Sequence, residues 1–117
     1  MLGAKAKIYI KYDGELKEVG KIISKGSQIP DFWFKNDTEP PYNSTAMSEA
    51  FGFESWLSRT NSKTWKYKFE ISTMHNRVET GKTQKYDLSL WLKEYVINIC
   101  KIDAITESEK NALQHYV

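Results

Sequence analysis

The chain has 117 residues, enough for one hydrophobic core but few for two. Hydrophobic residues make up 40% of it and charged residues 27%, which argues against both wholesale disorder and insertion into a membrane. The formal net charge of +2 is too small to indicate a nucleic-acid-binding protein by itself. We therefore expect a single domain that spans residues 1–117.

The cysteine and the N-terminal residues bear on the compartment. Cys100 is the lone cysteine, so an intramolecular disulfide is excluded, and its apolar helical surroundings predict a buried thiol in a reducing compartment. Lysines interrupt the apolar residues that follow Met1, so neither a secretory signal nor a membrane span is predicted. We expect a cytoplasmic protein with no membrane partner.

Residues 5–12 alternate between two faces with the period of two that is typical of a strand. One face carries Ala6, Ile8, Ile10 and Tyr12, and the other carries Lys5, Lys7, Tyr9 and Lys11. This pattern predicts the first strand of a sheet that buries one face.

The interpretation of residues 15–24 depends on register. Asp13-Gly14 is a hairpin signal, but a two-residue loop would set charged residues opposite the apolar face of the first strand. A helix fits better, and the residues that support it are Leu16, Val19 and Ile23 on one face, Asp13 as N-cap and Gly26 as the end. A hairpin with a bulge remains open.

Residues 27–44 contain all three prolines and predict a loop, with a short strand at residues 31–35. Residues 46–57 have apolar residues at a helical spacing that Gly52 interrupts, so we expect one or two short helical turns there.

The clearest alternation in the chain lies in residues 63–74. Its apolar face carries Trp65, Tyr67, Phe69 and Ile71, and its polar face carries Lys66, Lys68, Glu70 and Ser72. This pattern predicts a strand with one buried aromatic face, followed by a polar connection over residues 75–85.

Residues 88–102 predict the longest helix, with Asp87 as its N-cap. Its apolar stripe consists of Leu88, Trp91, Leu92, Tyr95, Val96, Ile99 and Ile102. The capping-box pattern from Thr106 to Glu109 then predicts a second, short helix.

Together these elements predict an α+β fold: a single two-layer domain in which a mainly antiparallel sheet packs against a C-terminal amphipathic helix. We expect the aromatic strand to meet that helix in one seam, formed by Trp65, Tyr67, Phe69 and Ile71 on the sheet and by Trp91, Tyr95 and Ile99 on the helix.

The chain shows no motif for catalysis or for a cofactor. Gly81-Lys82-Thr83 resembles the end of a phosphate-binding loop, but Asn76 stands where that loop needs glycine. His75, His115 and Cys100 lack the spacing of a metal site. We therefore expect no catalytic residue, no cofactor and no metal.

Aromatic residues in the loop-rich region predict a surface for a protein partner, because Trp and Tyr are the residues that most often anchor interfaces. The candidate partner-binding residues are Trp33, Phe34, Tyr42, Phe53 and Trp56, with Trp33 expected to be the exposed one. A satellite core beneath the loop is the competing interpretation.

The polar faces of the two alternating strands offer an alternative site. If these strands are neighbours, a basic surface with an aromatic residue results, and such surfaces bind single-stranded nucleic acid. Its residues would be Lys5, Lys7, Tyr9, Lys11, Lys66 and Lys68. Lysines that merely keep the sheet soluble and guard its edges are the competing interpretation.

The order of elements, with the Trp-led strand TWKYKFEIS and the amphipathic segment DLSLWLKEYVINICKI, resembles small bacterial domains of unknown function found among immunity proteins of toxin systems. The resemblance implies no catalysis and no cofactor, and it carries no functional residues to this chain. We expect a non-catalytic protein-binding module, a small bacterial or phage inhibitor or immunity-type protein that occludes a partner sterically. A nucleic-acid-binding protein is the alternative.

Overall fold

The first alternating segment forms the strand on which the sheet is built. The computed structural model describes residues 3–34, 45–50, 53–73 and 85–115, and in these residues seven strands form one sheet. The strands are β1 (Gly3–Lys11), β2 (Trp33–Phe34), β3 (Thr45–Ala50), β4 (Phe53–Arg59), β5 (Tyr67–Thr73), β6 (Lys85–Asp87) and β7 (Asp103–Thr106). Their order is β2-β3-β4-β5-β1, and both β6 and β7 pair with the remaining edge of β1.

The pairing is antiparallel except between β1 and β6, so the sheet is mainly antiparallel as the sequence predicts. Three α-helices accompany it in the described part of the chain: α1 (Leu16–Ser27), α2 (Ser89–Tyr95) and α3 (Glu107–His115). A π-helical segment, Val96–Cys100, continues α2 directly. The predicted α+β fold is confirmed.

Residues 15–24 are helical rather than a hairpin. In α1 the side chains of Leu16, Val19 and Ile23 are buried on one face, as the helical spacing predicts. The predicted ends are slightly wrong, because Glu15 rather than Asp13 occupies the N-cap position and the helix continues past Gly26. Its last residue is Ser27, after which Gln28 takes a left-handed conformation with φ of 55°.

The helical turns predicted for residues 46–57 are wrong, since this region forms the hairpin strands β3 and β4. Ala46 and Ser48 of β3 and Ser55 and Leu57 of β4 are buried at alternate positions, but Ser48 and Ser55 are polar and hide the alternation. Ser48 satisfies its hydroxyl by donating to the carbonyl oxygen of Pro30 at 2.7 Å. The predicted strand at residues 31–35 is shorter than expected and consists of β2.

The aromatic strand begins at Tyr67, so the placement of Trp65 within it is wrong. A turn holds Trp65 instead: its backbone N–H donates to Ser62 Oγ at 3.0 Å, and its carbonyl accepts from the Thr60 hydroxyl at 2.6 Å. Trp65 is half-buried, whereas Tyr67 and Phe69 are buried in the core.

The helix predicted over residues 88–102 is divided. Regular α-helix ends at Tyr95, the π-helical segment follows, and Lys101 adopts a left-handed conformation with φ of 59°. The sequence also misses β6 and β7, which lie on either side of this helical stretch.

The start of α2 is bonded to the sheet edge between β6 and β7. The Leu88 N–H donates to the Lys5 carbonyl at 2.7 Å, and Ser89 Oγ accepts the Lys7 N–H at 2.9 Å. Asp87 accepts hydrogen bonds from the backbone N–H and the hydroxyl of Ser89, and these bonds lower the pKa of its carboxyl group. Asp87 therefore caps the start of α2 with its side chain, although Leu88 occupies the N-cap position.

The core lies between one face of the sheet and the layer formed by α1, α2 and the π-helical segment. Cross-strand register brings Ala6, Ile8 and Ile10 of β1 opposite Ile71, Phe69 and Tyr67 of β5. On the helical side the buried residues are Leu16, Val19, Ile23, Leu92, Val96 and Cys100. The core therefore comprises a sheet layer and a helical layer, as predicted for the domain.

A close approach joins α1 to the π-helical segment. A Cβ atom placed on Gly26 would lie 2.8 Å from Cys100 Sγ, which is shorter than real contacts allow. The Tyr95 hydroxyl donates to the Gly26 carbonyl at 3.2 Å, so the backbone of Gly26 is also bonded to the helix that faces it. Gly26 is therefore required for packing between helices.

We predict that Gly26→Ala destabilises the fold by about 1–3 kcal/mol, because the added methyl group collides with the Cys100 sulfur. In a Cys100→Ala background the same substitution should stabilise instead, since alanine favours helix over glycine by about 1 kcal/mol. Chemical denaturation of the four proteins in a double-mutant cycle measures the change of sign. A Gly26→Ala effect of equal sign and size in both backgrounds would contradict this contact.

The predicted capping box at the start of α3 is confirmed. The Glu109 N–H donates to Thr106 Oγ1 at 3.3 Å, and the Thr106 N–H donates to Glu109 Oε1 at 3.2 Å. Lys93 of α2 donates to both carboxylate oxygens of Glu109, at 2.8 and 2.9 Å. The lysine and the capping bonds together lower the pKa of Glu109 below its ordinary value of 4.5.

A lowered pKa in the folded state means that Glu109 stabilises the protein above its ordinary pKa, and that this stabilisation is lost as the pH falls through the folded-state pKa. We therefore predict that Glu109→Gln lowers stability at neutral pH by roughly 0.5–1 kcal/mol and that the difference from the wild type disappears in acid. Thermal melts of both proteins across that pH range give the comparison. A difference that persists at low pH would show that the charge of Glu109 is not responsible.

Candidate functional site

The helical stretch formed by α2 and the π-helical segment carries two adjacent apolar stripes. The first, Leu92, Val96 and Cys100, is buried against the sheet and α1. The second stripe consists of Leu88, Trp91, Tyr95 and Ile99. In this second stripe Trp91 is 55% exposed and Ile99 is 52% exposed, so the predicted burial of both residues in the seam is wrong.

The exposed stripe borders an apolar groove of about 490 Å³. One wall is the helix, with Leu88, Trp91 and Tyr95. The other wall is the sheet, where Phe53 of β4 and both Phe69 and Ile71 of β5 reach the groove. The predicted seam thus exists only in part: the strand and helix residues face each other across an open groove.

The groove is nearly free of polar groups. Of the described residues that line it, only Ser27 and Ser55 are polar, and none is charged. An uncharged apolar lining favours apolar ligands, because a charged group that entered would lose its hydration without gaining a partner.

The aromatic side chains around the groove are held by specific contacts. The Tyr95 ring lies 5.5 Å from the Trp91 ring, and its hydroxyl is bonded to the Gly26 carbonyl. Phe69 packs edge-to-face on the buried Phe32 with ring centroids 6.1 Å apart. The walls are therefore arranged before any ligand binds.

The predicted partner-binding residues do not form one surface. Phe53 lines the groove, whereas Trp56 lies on the opposite face of the sheet and is 40% exposed. In the sheet register Trp33 lies opposite Met47, and Met47 lies opposite Trp56. Phe34 lies opposite Ala46, and Ala46 lies opposite Leu57; Ala46 and Leu57 are both buried. Tyr42 lies outside the described residues.

Sequence reasoning placed Leu88, Trp91 and Tyr95 in the core and so missed them as surface residues. The available signal was the width of the apolar stripe, because seven apolar residues in one helical stretch are more than a single sheet contact covers. A helix with surplus apolar surface either needs a second partner or leaves that surface exposed.

The basic surface predicted as the alternative site contains acidic residues as well as lysines in the structure. The two strands are neighbours, with Tyr9 opposite Lys68 and Lys7 opposite Glu70. Several of its lysines have acidic partners: Lys7 with Glu107 at 3.7 Å, Lys66 with Asp13 at 3.2 Å and Lys68 with Glu70 at 3.1 Å. Lys5 and Lys7 share their polar cavity with Asp87 and Glu107. The positive charge of this part of the face is thus largely balanced.

Cys100 is buried, and burial raises the pKa of its thiol, so the group stays protonated at neutral pH. Within residues 3–34, 45–50, 53–73 and 85–115 no three His, Cys, Asp or Glu side chains converge as metal ligands would. The Gly81-Lys82-Thr83 segment and His75 lie outside the described residues, as does most of the predicted polar connection.

Neither a protein-family model, nor a curated protein, nor a solved structure matches this chain. Among the helices that the structure describes, none has the length and apolar character needed to cross a bilayer.

We predict a sharp difference between two neighbouring residues of α2. Trp91→Ala should change the free energy of unfolding by about 1 kcal/mol or less, because the ring is mostly exposed and loses chiefly its contact with Tyr95. Leu92→Ala should cost about 2–5 kcal/mol, because Leu92 is 4% exposed and packs in the core. Denaturant unfolding of both variants makes the comparison, and equal losses would contradict the observed orientation of the helix.

Proposed function

We propose that this protein is a non-catalytic protein-binding module, a small bacterial or phage inhibitor or immunity-type protein that occludes its partner sterically. The observation that carries the proposal is the apolar groove flanked by a stripe in which Leu88, Trp91 and Ile99 are exposed and Tyr95 is half-buried. A soluble fold gains nothing from aromatic side chains kept in water, so such a surface is typical of an interface.

The energetics favour a partner of protein size. Burial of apolar surface contributes about 25 cal/mol per Å², and Trp is among the residues most enriched at interface hot spots. Trp91 stands at the centre of the exposed stripe, between Leu88 and Tyr95. Its neighbours can exclude water from the ring when a partner covers it.

The sheet topology limits the way in which a partner can bind. The groove floor is made by β4 and β5, and each of these strands is already paired on both edges. Their backbones therefore cannot accept an added strand, and recognition must go through side chains. An amphipathic helix that lays its apolar face into a groove is the mode of peptide binding that meets this condition.

The chemistry of the lining defines the partner further. Since no described lining residue is charged, the side chains that enter should be aliphatic or aromatic. We infer a partner in the cytoplasm, where the lone cysteine stays reduced and no disulfide partner is needed. Blocking of the partner then needs only tight coverage of its helix, without a chemical step.

The test is a measurement of affinity with matched variants. A partner is first isolated with the wild-type protein as bait, from the native host and from cells that carry its phages, and is then purified. We predict that Trp91→Ala weakens its binding by roughly tenfold or more while folding is kept. Leu113→Ala, which truncates a 51% exposed residue of α3 away from the groove, should bind like the wild type.

In the same assay Trp56→Ala tests the opposite face, and Trp33→Ala tests the residue that the sequence predicts as the exposed anchor. Loss of binding in these two variants, with Trp91→Ala unaffected, would move the interface to the face predicted from Trp33. Equal affinity of all the variants would remove the proposed interface altogether.

A further inference from the structure

One polar side chain reaches the floor of the apolar groove. Ser55 of β4 lies opposite Ile71 of β5, and both side chains point to the core face of the sheet, on which the groove opens. Ser55 lines the groove although only 7% of the residue is exposed. Ser27, the other lining serine, is half-buried at the end of α1, so water reaches it. Ser55 thus supplies the buried hydroxyl group of the groove.

The hydroxyl of Ser55 makes no hydrogen bond to any residue that the structure describes. The strand β4 is paired on both edges, so its backbone groups are taken up by the sheet. Ser48 lies directly opposite Ser55 on β3, but it donates its hydroxyl proton to the Pro30 carbonyl. A hydroxyl offers one donor and two acceptor lone pairs, and burial without a partner costs free energy. Ser55 therefore keeps hydrogen-bonding capacity for a group that enters the groove.

The walls of the groove define the body of the group that fits. They are largely aromatic, with Trp91 and Tyr95 on the helix and Phe53 and Phe69 on the sheet. Aromatic rings pack well against one another in edge-to-face or offset arrangements. No described lining residue is charged, so a carboxylate or an ammonium group would lose its hydration without gaining a partner. The lining therefore favours a flat, uncharged ring.

The floor of the groove defines the tip of that group. An apolar ring that carries a neutral hydrogen-bonding group at its far end can contact the walls and reach Ser55 together. Among amino-acid side chains, tyrosine has this form, and its phenol both donates and accepts a hydrogen bond. Phenylalanine has no polar tip, and tryptophan offers only a donor on the edge of its ring. The groove is thus complementary to a tyrosine side chain.

We propose that Ser55 is the specificity-determining residue of the groove and that it selects a tyrosine on the bound helix of the partner. This inference rests on the protein-binding function proposed above and names the side chain that is recognised. The tyrosine ring packs between the helix wall and the sheet wall, and its hydroxyl bonds to Ser55 Oγ. A phenylalanine in its place leaves the Ser55 hydroxyl unpaired, so the groove discriminates against it.

The test uses two small probes, p-cresol and toluene, which reproduce the side chains of tyrosine and phenylalanine. Amide chemical shifts of the full chain follow their binding to the wild type and to Ser55→Ala. We expect Ser55→Ala to weaken the binding of p-cresol by roughly tenfold, because the buried phenol loses its partner, and to change that of toluene by about twofold or less. An unchanged affinity for p-cresol, equal losses for the two probes, or no binding of either probe to the wild type would overturn the proposal.

Ser48→Ala is the matched control, because Ser48 is a buried serine of the same hairpin whose hydroxyl is bonded to Pro30 and does not line the groove. Its binding of both probes should equal that of the wild type. Ser48→Ala should also melt at a lower temperature, since the Pro30 carbonyl loses its donor, whereas Ser55→Ala should not. Equal losses of melting temperature would show that the Ser55 hydroxyl is satisfied within the protein and would overturn the proposal.

The probes need no partner, so their result is separate from the affinity test of the proposed function. If Trp91→Ala weakens binding of the partner while Ser55→Ala leaves p-cresol unaffected, the protein-binding function stands and the recognition of tyrosine is wrong. If Trp91→Ala leaves binding of the partner unchanged, the groove is not the interface, and the tyrosine of the partner is excluded even where p-cresol depends on Ser55.

Discussion

The pairing of β1 with three other strands is the constraint on which the rest of the structure depends. Its buried residues Ile8 and Ile10 contact the centre of the core, and its free edge receives β6 at one end and β7 at the other. The helical stretch between these two strands is thereby fixed at both ends. Its rotation about its own axis follows from that attachment, so one apolar stripe is buried and the adjacent one, with Trp91, faces solvent.

Much of the fold could be predicted from local patterns. The strands β1 and β5, the helix α1 and the capping box of α3 each have a characteristic residue pattern within a short segment. The hairpin of β3 and β4 could not, since Ser48 and Ser55 occupy buried positions and disguise the period of two. The strands β6 and β7 have three and four residues, too few for a pattern, and exist through their pairing with β1.

The candidate sites were less predictable than the fold, for a related reason. An apolar stripe in the sequence shows which residues favour burial, but it does not show how much of that stripe a neighbouring element covers. For this reason the exposure of Trp91 could not be predicted. The exposed stripe is thus a product of tertiary arrangement.

The way in which β6 and β7 share one edge has a consequence for self-association. A strand of nine residues with an open edge is a template for pairing with other chains. Here β6 covers Gly3–Lys5, β7 covers Ile8–Lys11, and the Ser89 hydroxyl accepts the N–H of Lys7 in the gap between them. Residues 85–106 therefore occupy the edge of β1 and prevent it from pairing with other chains. If these residues separated from β1 before the rest of the protein unfolded, the exposed edge could pair with a second molecule.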